Sequence, residues 1–176
     1  FDGLSEDVFL RDVGRAYDGL PVERESVTIY DILREKQLLR GMPPYKEAKW
    51  WFRKELKGMA DIAAPRVRGE MATIERRLDI PCRKDLEAMC AAKGITPNVL
   101  FMAAMALAIG SHRGLEKTLL HTYFHARVTQ DRQNVVGSLA TVRLCALRWQ
   151  PWQEVDEYLM SCKEHLLGNF NRTSYP

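Results

Sequence analysis

At 176 residues the chain can bury a sizeable core. Its 46% apolar and 28% charged composition is ordinary for a globular protein. A net charge of +3, with Arg and Lys interleaved among Asp and Glu, excludes the concentrated basic surface that nucleic acid requires. The longest apolar run, Val99 to Ile109, is too short to span a bilayer, so no membrane partner is expected. Cys82, Cys90, Cys145 and Cys162 form no C-x-x-C pair and have no metal-like spacing with the histidines. Their apolar neighbours predict buried thiols, hence a reducing, cytoplasmic setting and no metal. No signal peptide is visible.

The chain opens on Phe1-Asp2-Gly3-Leu4-Ser5. Asp-Gly suits a bend, because Gly accepts positive φ and admits a close neighbour. Ser5 is placed to cap the amphipathic run that follows, a better role for it than nucleophile because no Gly-x-Ser-x-Gly elbow surrounds it. Val8, Phe9, Val13, Ala16 and Tyr17 recur at helical spacing until Asp18-Gly19. A polar linker, Glu23-Arg24-Glu25, precedes a second helix over Ile29 to Leu39, closed by Gly41 and the Pro43-Pro44 break. A third helix, Tyr45 to Leu56, carries Trp50, Trp51 and Phe52, read as the core of a helical layer rather than a stacking platform. Lys57 to Gly69 reads as a crossover between two structural units.

A strand is expected over Glu70 to Leu78, then a helix over Arg83 to Lys93 ended by Gly94. Thr96-Pro97 marks a helix start, an N-cap followed by Pro at the first position. The helix it opens is apolar on nearly every side to about Gly110, which predicts a central element packed between layers. Strands are expected over Thr118 to Ala126 and Ser138 to Trp149, flanking a polar loop. A final amphipathic helix should bury Val155, Tyr158, Leu159, Cys162, Leu166 and Leu167. Met71, Met89, Met102, Met105 and Met160 read as core filler. His121 and His125 share one face of a strand roughly 13 Å apart, too far to share a metal. His112 sits at a helix end, and His165 has no evident activating neighbour. The order of elements reads as α/β, a mixed sheet flanked by helices.

Several of these segments together resemble a known family. Phe1-Asp2-Gly3-Leu4-Ser5 is similar to the tail of the His-His-x-x-x-Asp-Gly motif of condensation domains from nonribosomal peptide synthetases. Tyr30-Asp31 resembles that family's Tyr-x-Asp segment, and Trp50-Trp51 with Leu56 its Tyr-Trp-x-x-x-Leu helix. Gly94-Ile95-Thr96-Pro97-Asn98-Val99-Leu100 is similar to a helix start in its C-terminal lobe. Ala126-Arg127 and Val136-Gly137-Ser138-Leu139 resemble its Gly-Arg…Val-Gly-x-Phe-Val-Asn-Thr block, and Tyr175-Pro176 its His-Gln-Asp-Tyr-Pro ending. The chain departs from the pattern at Ala126 in place of Gly, at Ala140-Thr141, and at Arg172-Thr173-Ser174 in place of His-Gln-Asp.

The resemblance implies a partial, chloramphenicol acetyltransferase-like two-lobed fold. Residues 1–60 would close the N-terminal lobe and residues 61–176 would form a truncated C-terminal lobe. It implies an acyltransferase of secondary-metabolite and antibiotic biosynthesis, joining a carrier-tethered aminoacyl or peptidyl thioester to an aminoacyl acceptor. Asp2 and Gly3 would be the remnant of the catalytic motif, whose histidines would precede Phe1, so that the chain alone would be inactive. Asp2 would pair with Arg127, reaching from the other lobe, to orient the motif loop, and Ser138 and Thr141 would line the substrate channel. No cofactor would be bound directly, phosphopantetheine being carried by partner carrier proteins. Other partners would be an adjacent adenylation domain and the remainder of the same condensation domain. The departures keep open a non-catalytic domain that recruits a carrier or tailoring enzyme, and a related epimerising or ester-forming enzyme.

Overall fold

Asp2, Thr28 and Thr96 each hold an extended backbone conformation and accept a hydrogen bond from a backbone N–H one turn on, which starts a helix at each. A computed structural model of the chain describes residues 2–59, 75, 83–172 and 175. Its helices are α1 (Gly3–Tyr17), α2 (Ile29–Leu39), α3 (Pro43–Glu55), α4 (Arg83–Ala92), α5 (Pro97–Arg113) and α6 (Val155–Phe170). Strands β1 (Lys117–His125) and β2 (Ala140–Arg148) pair through a loop containing a 3₁₀ turn, Gln130–Arg132. The ladder is antiparallel: the N–H of Ala126 donates to Leu139 at one end, and that of Trp149 to Glu116 at the other. The strand expected over Glu70 to Leu78, apart from Glu75, and most of the expected crossover lie outside the described residues.

The caps account for the sharp boundaries. In α2, Thr28 and Asp31 form a capping box, with the Thr28 N–H donating to Asp31 at 2.9 Å. The cap of α1 is Asp2 rather than Ser5, because the Asp2 carboxylate reaches the Ser5 N–H at 3.0 Å and puts Ser5 inside the first turn. Helix α5 runs past Gly110 to Arg113, where Gly114 takes the left-handed conformation.

Contacts divide the chain into two compact units, the first comprising Phe1–Arg53, His121–Leu144 and Asn169–Pro176, the second Lys54–Leu120 and Cys145–Gly168. In the first, Ile32, Val135 and Leu139 are fully buried, with Val27, Ile29 and Ala126 packed around them. Nearby aromatic contacts tie α3 to the end of the chain: the Phe52 ring stacks on Tyr175 at 5.6 Å, and the Arg172 guanidinium lies 4.5 Å over Trp51.

In the second unit, Val99, Ala103 and Ala106 of α5 pack with Leu120, Cys145 and Leu147 from the strands and with Tyr158, Leu159, Cys162 and Leu166 of α6. The buried Tyr158 hydroxyl donates to the Ala103 carbonyl at 2.8 Å. Cys90, Cys145 and Cys162 are buried and none is disulfide-bonded.

Apolar periodicity overstates burial in several places. Among the described residues helix α5 is covered on one side: small residues let it approach its neighbours, while Phe101 and Met105 are exposed. Trp50, Met89 and Met160 are exposed rather than core, and so are Val155 and Leu167 of α6. Only Val8 of the expected apolar set in α1 is buried, with Tyr17 92% exposed. Among the described residues no single helix is long and apolar enough to cross a membrane.

Candidate active site

The Asp2 carboxylate is the meeting point of three segments far apart in sequence. Oδ1 accepts from the Ser5 N–H at 3.0 Å and lies 2.7 Å from the Ser5 hydroxyl. Oδ2 accepts from the N–H groups of Leu139 at 2.9 Å and Ala140 at 3.1 Å, at the entry to β2. The Arg127 guanidinium closes the set with a two-pronged pair, Nη1 to Oδ2 and Nη2 to Oδ1, each at 2.9 Å. Asp2 and Arg127, expected to pair, are thus in direct contact, and both belong to the first compact unit.

Burial makes this pair different from a surface ion pair. The Arg127 side chain is 3% exposed and that of Asp2 12%. Arg127 also donates toward the carbonyls of Val135 at 3.0 Å and Gly137 at 3.1 Å. Ser5 is fully buried between the two segments. Its one hydroxyl proton can go to Asp2 or to the Gly137 carbonyl at 2.8 Å, while its oxygen accepts from the Gly137 N–H at 3.0 Å. The Arg127 guanidinium, followed by the Ser5 and Leu139 donors, holds the Asp2 carboxyl far below the usual carboxylate range. A group so held is an anchor and not a proton carrier near neutrality.

Gly137 fits where a side chain would not. A Cβ there would lie 2.9 Å from Ile29 Cγ1, so the loop before β2 approaches the first turn of α2 because residue 137 is glycine. Gly3 differs from its sequence reading: it is the first residue of α1, its φ is not positive, and a Cβ would meet nothing within 4 Å.

The remaining sequence candidates scatter. Thr141 is half-buried on β2 and borders a small cavity of about 110 Å³. Ser138 is exposed in the loop before β2 rather than within the strand, which begins at Ala140. His121 and His125 are exposed on β1, and His112 is exposed in the last turn of α5. His165 does have a neighbour, with Nδ1 3.3 Å from the Glu55 carboxylate. The described residues hold no group of three or more His, Cys, Asp or Glu placed for a metal. Sequence reading missed Ser5 as a hub of the network; a serine three residues after a capping Asp carries no signal beyond the cap itself.

Solved structures place this fold among condensation domains. The first condensation domain of the calcium-dependent antibiotic synthetase, in complex with a substrate analogue, is 18% identical with a TM-score of 0.73, covering 99% of this chain and 41% of that one. The complex of the X-domain and OxyB from teicoplanin biosynthesis contains a chain matched at a TM-score of 0.71 and 18% identity, with coverages of 99% and 43%. A family model for the condensation domain matches residues 1–176, and the chain belongs to that family. Bacitracin synthase 1 of Bacillus licheniformis is 23% identical over 186 residues, 99% of this chain and 4% of that protein. FR901469 synthetase of Dothideomycetidae sp. (strain 11243) is 25% identical over 177 residues, 94% of this chain and 1% of that protein. The chain therefore spans a small fraction of these synthetases and about two-fifths of the matched solved chains.

Proposed function

We propose that the Asp2–Arg127 network is the frame of an amide-forming acyltransferase centre in a nonribosomal peptide synthetase. The observation that carries this reading is the Asp2 carboxylate itself. It stands at the Asp of an Asp-Gly motif and is saturated by the Arg127 fork, the Ser5 amide and the two amides that open β2. A carboxylate with every lone pair engaged fixes a backbone and leaves the chemistry to its neighbour. That neighbour would be the motif histidine, ahead of Phe1 in the intact protein.

In the reaction, the acceptor amine attacks the carbonyl carbon of the donor thioester. The C–N bond forms and the C–S bond breaks, while the amine loses a proton and the departing sulfur takes one up. The histidine would orient or deprotonate the amine. The thioester is already activated, so holding the two groups together supplies the larger share of the rate. Residues 1–60 would complete an N-terminal lobe and residues 61–176 would form part of a C-terminal lobe, with Ser138 and Thr141 along the channel. Both substrates would arrive on phosphopantetheine arms of carrier proteins, beside an adenylation domain and the remainder of the condensation domain. A cytoplasmic site of action is supported by the buried, unbridged Cys90, Cys145 and Cys162.

The test is amide formation by the intact protein from loaded carriers, wild type against a variant with the upstream motif histidine replaced. Loss of turnover is expected, and turnover unaffected by the replacement would remove the base role.

A further inference from the structure

Arg143, on β2, is a buried cation with no use in the proposed reaction. It is 5% exposed. Its Nη1 donates to the Arg172 carbonyl at 2.9 Å, and its guanidinium lies 5.6 Å from the centre of the Phe52 ring. Among the described residues no carboxylate stands within ion-pair distance of it. A buried charge lacking a counter-charge is costly, and burial pushes the Arg143 pKa down.

The side chain borders the cavity of about 110 Å³ that Thr141 also lines. Lys36 and Arg132 line the same space, and Glu35 is the one carboxylate among the described lining residues. Glu35 is already taken by Arg132, whose Nε is nevertheless buried without a hydrogen-bond partner among the described residues. Partial burial, followed by the Arg143 and Arg132 guanidiniums, lowers the pKa of the Lys36 ammonium. Three cations therefore surround a space large enough for a few water molecules, at about 30 Å³ each, with one committed carboxylate. The lining also includes Phe124 and Phe170, whose rings lie 5.1 Å apart, and such apolar surface strengthens any charge interaction inside.

We propose that this cavity is an oxyanion subsite, in which Arg143, Lys36 and Arg132 hold a carboxylate or phosphate group with the Thr141 hydroxyl beside it. Arg143 supplies the buried donors and Lys36 a second positive charge on the cavity lining. The compact volume admits the anionic head of a ligand rather than a whole substrate. Such a site would select a ligand bearing a negative group, whether an acidic acyl chain or a phosphorylated arm.

The experiment measures binding in the intact protein by calorimetry and thermal unfolding at fixed ionic strength, with inorganic phosphate and glutarate as separate probes. Saturable binding of at least one probe is expected. Phosphate alone would identify a phosphorylated ligand, glutarate alone an acidic acyl group, and both a general oxyanion site. Arg143→Met should abolish the saturable component without loss of thermal stability in the absence of probe, since it removes an uncompensated charge. Lys36→Gln, on α2, should weaken binding by about tenfold, as the loss of one charge-assisted contact does. Binding of neither probe would overturn the proposal, as would binding unchanged in the variants. If Arg143→Met fails to fold, the Lys36→Gln affinity decides, and an unchanged value refutes the subsite.

Discussion

At the scale of single residues, Asp2 and Arg127 neutralise each other's charge, so removing one strands its partner's charge in a buried site. Asp2→Asn keeps the shape and removes the charge. It should cost about 3–5 kcal/mol, the usual penalty for leaving one half of a buried pair, read from urea unfolding. The native carboxyl titrates far below its unfolded counterpart. The unfolded chain therefore binds the extra proton as acid is added. The contribution is complete above the unfolded carboxylate range, from about pH 5 upward, and is lost progressively as pH falls below about 4 toward the native pKa. Unfolding free energies of wild type and Asp2→Asn should accordingly converge in acid. A gap that stays constant from about pH 7 to 3 would show that the carboxylate charge is not what holds the network. The pairing was legible in the sequence through a motif resemblance, whereas the part played by Ser5 was not, because its partners at Gly137 come from a loop 132 residues away.

At the scale of elements, local chemistry wrote the helices and tertiary packing decided their faces. The boundaries of α2, read as Ile29 to Leu39 from polarity and the Gly41 break, are those of the structure, where the Thr28 cap starts the helix. Packing of α5 was not legible, because a run of Ala, Met and Phe has the same periodicity whether or not a neighbour covers each side. Two substitutions separate its faces. Ala103→Leu, at a fully buried position, should destabilise by about 1–3 kcal/mol through overpacking. Phe101→Ser, at an exposed one, should stay within about 0.5 kcal/mol. Comparable losses from both would mean that the outer face is covered in the intact protein. The loop before β2 offers a second check, because a Cβ on Gly137 meets Ile29 at 2.9 Å. Gly137→Ala should cost about 1–3 kcal/mol, and trimming the neighbour in Gly137→Ala/Ile29→Val should recover part of it. Strict additivity of the two single changes would contradict the close contact.

At the scale of the molecule, the site is assembled by long-range closure: Asp2 and Arg127 are 125 residues apart. No local pattern predicts such a contact. It was foreseeable only because the motifs occur in the order that condensation domains have, and family membership now rests on the match over residues 1–176. The cationic cavity around Arg143 shows the converse case. An arginine within an apolar strand reads as an outward-facing residue, and only the fold reveals that it is buried beside Lys36 and Arg132. The central proposal is that the Asp2–Arg127 pair would hold a catalytic loop in working position. The most direct measurement is the initial rate of amide formation by the intact protein from carrier-loaded donor and acceptor, wild type against Arg127→Met, at a temperature where both are folded. A misplaced reacting group costs about 100-fold in rate, and a loss of that order with the fold retained is expected. A folded Arg127→Met protein that joins its substrates at the wild-type rate would contradict the account.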